Sequence, residues 1–329
     1  MSEKSHGNGP RHFLATDEWS DAAILELLDR AERLKRGVEH GSLAGKVLGL
    51  VFFTPSLRTR ASFEVAMSRH HGSAAIIEPG KGAWSLETRR GVVMDGAAAE
   101  HLIEAARVLG RYVDALGVRA FPFEDTWEAA RRDAIVRGFA EHAGVPVINL
   151  ESARRHPCQG LADAMTLDEK LDGETHGKRF VLAWAWHPKA LPTAVPVSAA
   201  IAAARLGMNV TIAHPPGFEL DSDDIATIGA IAERRGGRLS IDDDLDRAVE
   251  GADVVYAKSW GSLSRFGDER GESALRADGR SWIIDERRMQ STREGRGVFL
   301  HCLPVRRNVV VTDGVLDGVW SAVVDQAEN

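Results

Sequence analysis

A chain of 329 residues, 44% hydrophobic and 27% charged, has the composition of a soluble globular protein long enough for two domains with separate cores. Its formal net charge of −7 argues against a nucleic-acid partner, which would call for a basic balance. No apolar run approaches a membrane span, the polar start lacks a signal-peptide centre, and Cys158 and Cys302 are too few for a disulfide framework, so the chain reads as cytoplasmic.

Residues before about Phe13 are polar and read as loosely held. From there amphipathic helical stretches alternate with apolar runs of strand length. In chain order they are a helix over 22–35, a strand over 47–53, a helix over 59–70, a strand over 74–77, a helix over 98–112 and a strand over 115–119. A helix over 127–142, a strand over 145–150 and a helix over 159–171 follow. Next come a strand over 180–186, a helix over 194–206, a strand over 209–213 and a helix over 224–235. Strands over 253–257, 282–284 and 298–300 complete the set. Near-continuous apolar strands alternating with helices predict parallel sheets covered on both faces. The fold class is therefore α/β, with two doubly wound domains joined by helices. The boundary is expected near Leu150, dividing residues 1–150 from 151–329, with the helix from Gln159 as a bridge.

Ser56-Leu57-Arg58-Thr59-Arg60 stands where the strand over 47–53 gives way to a helix, and Pro55 marks the turn. Hydroxyls, two arginines and backbone N–H groups at a helix start make an anion site, and the arginine fork matches phosphate oxygens. A capped helix with solvated arginines is the plain alternative. Three further features stand at strand ends. His156-Pro157-Cys158-Gln159 opens a helix, His301-Cys302-Leu303-Pro304 precedes Arg306 and Arg307, and Arg119 closes the strand over 115–119. Ligands of open α/β sheets bind outside the carboxyl ends of strands. Otherwise His156 satisfies a helix start and Cys302 packs as a small hydrophobe. Trp84 sits in a Gly-rich loop, a place for contact with a ligand or partner.

No Gly-x-Gly-x-x-Gly follows Phe180, Gly45-Lys46 lacks the Ser/Thr and loop length of a P-loop, and Gly236-Gly237 reads as a helix stop. A nucleotide cofactor is therefore not expected. The scattered histidines have no ligand spacing, so no metal is expected either.

Together these motifs resemble those of the aspartate/ornithine transcarbamylases. The phosphate motif stands as Ser56 to Arg60, His-Pro-x-Gln as His156 to Gln159 and His-Cys-Leu-Pro as His301 to Pro304, and the resemblance covers nearly the whole chain. Within the family, residues 81–84, 111–122 and 257–261 are similar to the N-acetylornithine branch. Ser259-Trp260-Gly261 departs from the Ser-Met-Gly loop of ordinary ornithine enzymes. The resemblance implies that an amine attacks the carbonyl of carbamoyl phosphate and phosphate leaves from a tetrahedral intermediate. The acceptor it implies is the side-chain amine of N-acetyl-L-ornithine or N-succinyl-L-ornithine, in arginine biosynthesis. It assigns Ser56, Leu57, Arg58, Thr59 and Arg119 to the phosphate, and Thr59, Arg119 and His156 to the carbonyl oxygen. Gln159, Cys302, the Leu303 carbonyl and Arg306 fall to the carbamoyl end. Glu151, His187, Lys258 and Leu303 match acceptor-side positions, the first three being otherwise plain polar residues near strand ends. The family is built on trimers in which the Trp84 loop reaches into a neighbour's phosphate site, so a homotrimer with shared active sites is implied. Residues 1–150 would then bind carbamoyl phosphate and 151–329 the acceptor. In this branch the acceptor domain is knotted, an exception to the rule against threading.

Three departures bear on specificity. Ala99 stands where the acetylornithine enzymes carry Glu and the succinylornithine enzymes Pro, and Val310 stands where the acetylornithine branch has a Lys. Relatives continue past the position of Asn329 with an arginine that helps bind carbamoyl phosphate and a C-terminal helix. Two other readings stay open: a relative retuned to another diamino acid such as 2,3-diaminopropionate, and a non-catalytic ligand-binding relative. The intact Arg58 and His156 argue against the latter.

Overall fold

The computed structural model describes residues 11–329, so most of the loosely held start expected before Phe13 lies outside the described residues. They form two compact units. One takes the chain up to Ala15, Arg33–Phe123 and Arg132–Ala153; the other takes Thr16–Glu32, Glu124–Arg131 and Arg154–Asn329. The change of unit after residue 150 falls between two anchors. The Ala153 N–H donates to Asp133 at 3.0 Å, and the next side chain, Arg154, pairs with Asp224 at 2.7 Å.

Charge pairs explain why two earlier stretches join the second unit. Helix α1 (Asp21–Lys35) begins with Asp21, whose carboxylate takes hydrogen bonds from Arg205 and Arg234, each at 2.9 Å. Just before it, Asp17 accepts both arms of the Arg155 fork, at 2.8 and 2.9 Å. Arg131 likewise reaches Asp221 at 3.1 Å.

The first unit holds β1 (Val47–Phe52), α2 (Arg58–Arg69), β2 (Ser73–Ile77), the short pair β3 (Leu86–Glu87) and β4 (Glu100–His101), and α3 (Leu102–Tyr112). After β5 (Ala115–Arg119) the chain makes α4 (Trp127–Ala130), which belongs to the second unit, then α5 (Ala134–His142) and β6 (Val147–Glu151). The sheet is parallel, in the order β2-β1-β5-β6. Its central strands β1 and β5 are buried apolar runs, with Val51, Leu116 and Val118 at 0% exposure packed by Ala106 and Phe139, whereas the edge strand β2 is partly exposed. Gly110 lets α3 approach the end of α5, since a Cβ there would lie 1.8 Å from the Ala143 carbonyl oxygen. The single helix expected over 127–142 is in fact broken. Asp133 adopts a left-handed φ of +49°, which interrupts the helix, while its carboxylate is anchored by the Ser152 hydroxyl and the Ala153 N–H. The helix expected from residue 98 begins only at Leu102, where His101 Nδ1 caps it by accepting from the Ile103 N–H at 3.2 Å.

The second unit continues with α6 (Pro157–Lys170), β7 (Arg179–Trp184), α7 (Ala194–Arg205), β8 (Asn209–Ala213), α8 (Ser222–Arg234) and β9 (Leu239–Asp242). It ends with α9 (Leu245–Val249), β10 (Val254–Lys258), α10 (Glu269–Ala277), α11 (Glu286–Ser291), β11 (Val298–Leu300), α12 (Asp313–Leu316) and α13 (Val323–Glu328). Its sheet is again parallel, in the order β11-β10-β7-β8-β9. Alternate residues of β7 feed two cores: Phe180, Leu182 and Trp184 face one, Val181 and Ala183 the other. Every residue of α7 is buried, which fits its alanine-rich sequence between α6 and α8. The strand expected over 282–284 is absent. Ile284 makes a single bridge to Val311, and Trp282 is apolar because it packs on Trp184. Among the described residues no helix is long and apolar enough to cross a membrane.

In both sheets the chain leaves a central strand in two directions. The reversal lies between β1 and β5 in the first unit and between β7 and β10 in the second, which are the switch points where ligands bind.

The Asp21 fork makes a stability prediction. Hydrogen bonding from Arg234 foremost, then from Arg205, holds the Asp21 carboxyl down at about 2, outweighing the opposing effect of its partial burial. A lowered carboxylate contributes fully above its unfolded value of about 3.9 and loses that contribution as pH falls through the folded value. Asp21→Asn should therefore cost on the order of 2 kcal/mol at pH 7, with the gap to wild type closing between about pH 4 and pH 2. Denaturant unfolding across that range checks it, and a gap independent of pH contradicts it.

Candidate active site

In the first unit the residues following β1 turn sharply. The Phe53 N–H still donates to the Arg119 carbonyl at 3.0 Å, and the Thr54 hydroxyl accepts the Phe121 N–H at 3.2 Å. Pro55 ends the strand direction. Ser56 Oγ then accepts the Thr59 N–H at 3.3 Å, closing the first turn of α2. Ser56, Arg58 and Thr59 are half-buried and Leu57 is exposed, all at the positive end of the helix dipole. An open cleft of about 580 Å³ lies here, lined by Pro55, Ser56, Leu57, Arg60, Glu64 and Glu78 among others. Arg60, which also lines this cleft, pairs with Glu64 at 3.4 Å and Glu78 at 3.6 Å, partners that sequence reading did not name.

Across the switch point, Arg119 closes β5 and is only 8% exposed. Its Nη1 pairs with the Glu151 carboxylate and donates to the Leu150 carbonyl at 3.3 Å, while its plane lies over Phe121 at 4.8 Å. Nε has no hydrogen-bond partner among the described residues. Glu151 sits at an irregularity in the β5–β6 pairing with φ +135°, a strained backbone for a residue with a side chain. Arg119 and Glu151, given separate roles by the resemblance, are thus one ion pair. Trp84 is 61% exposed, and its indole N–H donates to Glu100 at 2.7 Å, a partner that nothing in the sequence pointed to.

In the second unit His156 caps α6. Its Nδ1 accepts the Gln159 N–H at 3.3 Å, and its backbone N–H donates to the Ser198 hydroxyl at 2.9 Å. A neutral ring whose Nδ1 accepts must carry its proton on Nε2, so His156 offers a donor from that nitrogen. Gln159 turns its amide nitrogen to Asp163 at 2.8 Å.

At the β7–β10 switch point three assigned residues gather. Arg306 Nε donates to His187 Nε2 at 3.0 Å, and His187 Nδ1 donates to the Lys189 carbonyl at 2.9 Å. Burial pushes His187 below its ordinary value, the Lys189 bond opposes this, and the charges of Arg306, Lys258 and Arg276 add to the lowering. Neutral His187 therefore ties Arg306 to the Lys189 backbone without adding a charge of its own to the nearby cations. Arg307 is committed elsewhere, forked onto Asp313 and Asp317. Trp260 is core: its N–H donates to the Phe218 carbonyl at 2.8 Å, and its own carbonyl accepts from Trp184 at 3.0 Å.

After β11, His301 is buried with Nδ1 accepting the Leu303 N–H at 2.9 Å, and Leu303 takes φ +54° before a cis bond to Pro304. Cys302 is half-buried beside it. Burial pushes the Cys158 thiol up to about 12, which marks it as unreactive. Val310 is 2% exposed in an apolar cluster with Ile284, Met289 and Val315, whereas Ala99 is exposed.

Residues 11–169 match the carbamoyl-phosphate binding domain model of the aspartate/ornithine carbamoyltransferases, and residues 183–329 match the Asp/Orn binding domain model. An N-acetylornithine carbamoyltransferase from Xanthomonas campestris pv. campestris is 46% identical over 97% of this chain and 94% of its own length. An N-succinylornithine carbamoyltransferase from Bacteroides fragilis is 38% identical over 86% of this chain and 83% of its own. Among solved structures, acetylornithine transcarbamylase complexed with acetylcitrulline superposes with a TM-score of 0.93 at 46% identity, covering 97% of this chain and 95% of that one. Two domain models spanning nearly the whole chain, with relatives this similar over most of their length, leave one conclusion: the chain belongs to the aspartate/ornithine carbamoyltransferase family.

Proposed function

We propose that this enzyme transfers the carbamoyl group of carbamoyl phosphate to the side-chain amine of an N-acylated ornithine, as a step of arginine biosynthesis. The observation that carries the reading is the 46% identity to a transcarbamylase solved with acetylcitrulline, the product this reaction would give. The amine nitrogen attacks the carbonyl carbon, a C–N bond forms, and the C–O bond to phosphate breaks with its electron pair leaving on phosphate. Charge grows on the carbonyl oxygen and on the departing phosphate, so donors fixed in advance supply most of the catalysis. We assign Ser56, Leu57, Arg58, Thr59 and Arg119 to the phosphate, since a hydroxyl-rich helix start with a fork-shaped cation suits it. Thr59, Arg119 and His156 Nε2–H are assigned to the carbonyl oxygen. Gln159, Cys302, the Leu303 carbonyl and Arg306 are assigned to the carbamoyl end, and Glu151, His187, Lys258 and Leu303 to the acceptor. No step in this scheme calls for a cofactor.

Two finer points belong to the same proposal. The active species is a homotrimer in which Trp84 serves a neighbour's site, which accords with an indole exposed to 61% on a loop braced by Glu100. The second unit follows the knotted path of the acetylornithine branch.

The acceptor is where this chain differs. A related structure carries alanine in place of a glutamate and is complexed with carbamyl phosphate and N-succinyl-L-norvaline. Ala99 stands where the acetylornithine enzymes carry that acid, so no carboxylate there opposes a succinyl group. Val310 lies in the core and offers the acyl group neither charge nor hydrogen bond.

Three experiments follow. Arg58→Ala should cut kcat/KM for carbamoyl phosphate by at least about 100-fold with folding intact, because a charged donor to the leaving group is lost; near-normal phosphate release would refute the donor assignment. Mixing Trp84→Ala with Arg58→Ala subunits should restore part of the activity in verified mixed oligomers, and no recovery there would refute shared sites. Wild type should use N-succinyl-L-ornithine at least as well as the acetyl form. Ala99→Glu should move preference toward acetyl by about tenfold to a hundredfold, from a repulsion on the order of 1–3 kcal/mol. Comparing kcat/KM for both acceptors in both proteins reads this out.

A further inference from the structure

Asp163 lies one helical turn beyond Gln159 on α6 and has 0% exposure. One of its oxygens takes three hydrogen bonds from the fold around it. Oδ1 accepts from Gln159 Nε2 at 2.8 Å, from Gln326 Nε2 at 2.6 Å and from the Tyr256 hydroxyl at 3.4 Å. Oδ2 has no hydrogen-bond partner among the described residues. Burial pushes this carboxyl up to about 7, against the pull of the three donors. A buried acid kept at that cost is unusual unless its oxygen does something an apolar side chain would not.

The three donors lead to three different strand ends. Gln159 follows the His156 cap. Tyr256 lies on β10, two residues before Lys258. Gln326, on α13, turns its Oε1 to the His301 N–H at 2.9 Å, where β11 ends and the Cys302-Leu303 turn begins. A side-chain amide has a donor end and an acceptor end, and Oδ1 can only accept. Gln159 must therefore point its nitrogen inward and its oxygen outward, and Gln326 must give its nitrogen to Asp163 and its oxygen to His301.

We propose that Asp163 is a positioning residue, which fixes the Gln159 amide with its oxygen toward the substrate and, through Gln326, holds the turn that carries Cys302 and Leu303. The proposal rests on the carbamoyl-transfer reading above. The carbamoyl group ends in an NH2, a pair of donors, and an outward Gln159 oxygen accepts from it. A reversed amide would set NH2 against NH2, so orientation decides whether Gln159 attracts the donor substrate or repels it.

A double-mutant cycle in the full-length enzyme tests this, with kcat/KM for carbamoyl phosphate measured at saturating N-acetyl-L-ornithine or N-succinyl-L-ornithine. Asp163→Leu should lower it on the order of 10- to 100-fold, as expected for a misplaced binding group. The double variant Asp163→Leu with Gln159→Leu should lose clearly less than the product of the two single losses, because a missing Gln159 can no longer be disoriented and only the turn held through Gln326 remains to be disturbed. Asp163→Asn, whose amide oxygen still accepts both glutamine nitrogens, should recover most of the loss; a purely space-filling role predicts no such rescue over leucine. Additive losses, or an asparagine variant as poor as the leucine one, overturn the proposal and leave the carbamoyl-transfer reading standing. A wild type with no turnover on either acylated ornithine overturns both. Should Asp163→Leu fail to fold, a crystal structure of the unliganded wild type decides, since a Gln159 side chain turned away from Asp163 overturns the proposal and one bonded to it supports it.

Discussion

In a parallel sheet each strand must be re-entered from the same side, so all carboxyl ends fall along one edge. That constraint organises both units. It sets the Ser56–Thr59 helix start beside Arg119 in the first, and His187 beside Lys258 and Arg306 in the second. No long-range signal between these residues is needed. A doubly wound order opens a crevice at the point of reversal, and whatever polar groups follow the two central strands must face it. The apolar strands, inert in themselves, decide which side chains meet.

Charge then refines what topology roughs out. Asp21, Asp17 and Asp224 each hold arginines distant in sequence and so fix which stretches join the second unit. The same economy separates arginines that look equivalent. Arg60 and Arg307 are occupied by scaffold carboxylates, whereas Arg306 reaches a neutral histidine. A cation already matched by two carboxylates has little field left for a ligand, which sets Arg307 apart from its neighbour Arg306.

Legibility followed the physics of each element. The strands over 115–119, 209–213 and 298–300 were readable to the residue because each is a short apolar run with clear ends. β9 escaped notice because it is a four-residue edge strand with no buried apolar run, its consecutive Ser240 and Ile241 both being exposed. The stretch 282–284 misled in the opposite way: Trp282 and Ile284 are apolar for packing, with no ladder to join. The helix over 127–142 looked continuous because Asp133, whose left-handed backbone breaks it, is held by partners nineteen and twenty residues away. Among site candidates, motif residues could be named from spacing and resemblance, but the Trp84–Glu100 bond and the Asp163 hub could not. A lone acid inside a helix carries no sequence mark that it will be buried beneath two glutamines.

The His156 cap has a consequence for proton traffic. An imidazole that gives its Nδ1 lone pair to its own helix can lend a hydrogen from Nε2 but cannot also take one there. It is a one-way fitting. If it faces the carbonyl oxygen as proposed, it cannot relieve the incoming amine of its proton. That proton has to leave before the amine arrives or depart on the phosphate, whose oxygens gain basicity as the C–O bond opens. Turnover would then follow the fraction of acceptor present as free amine.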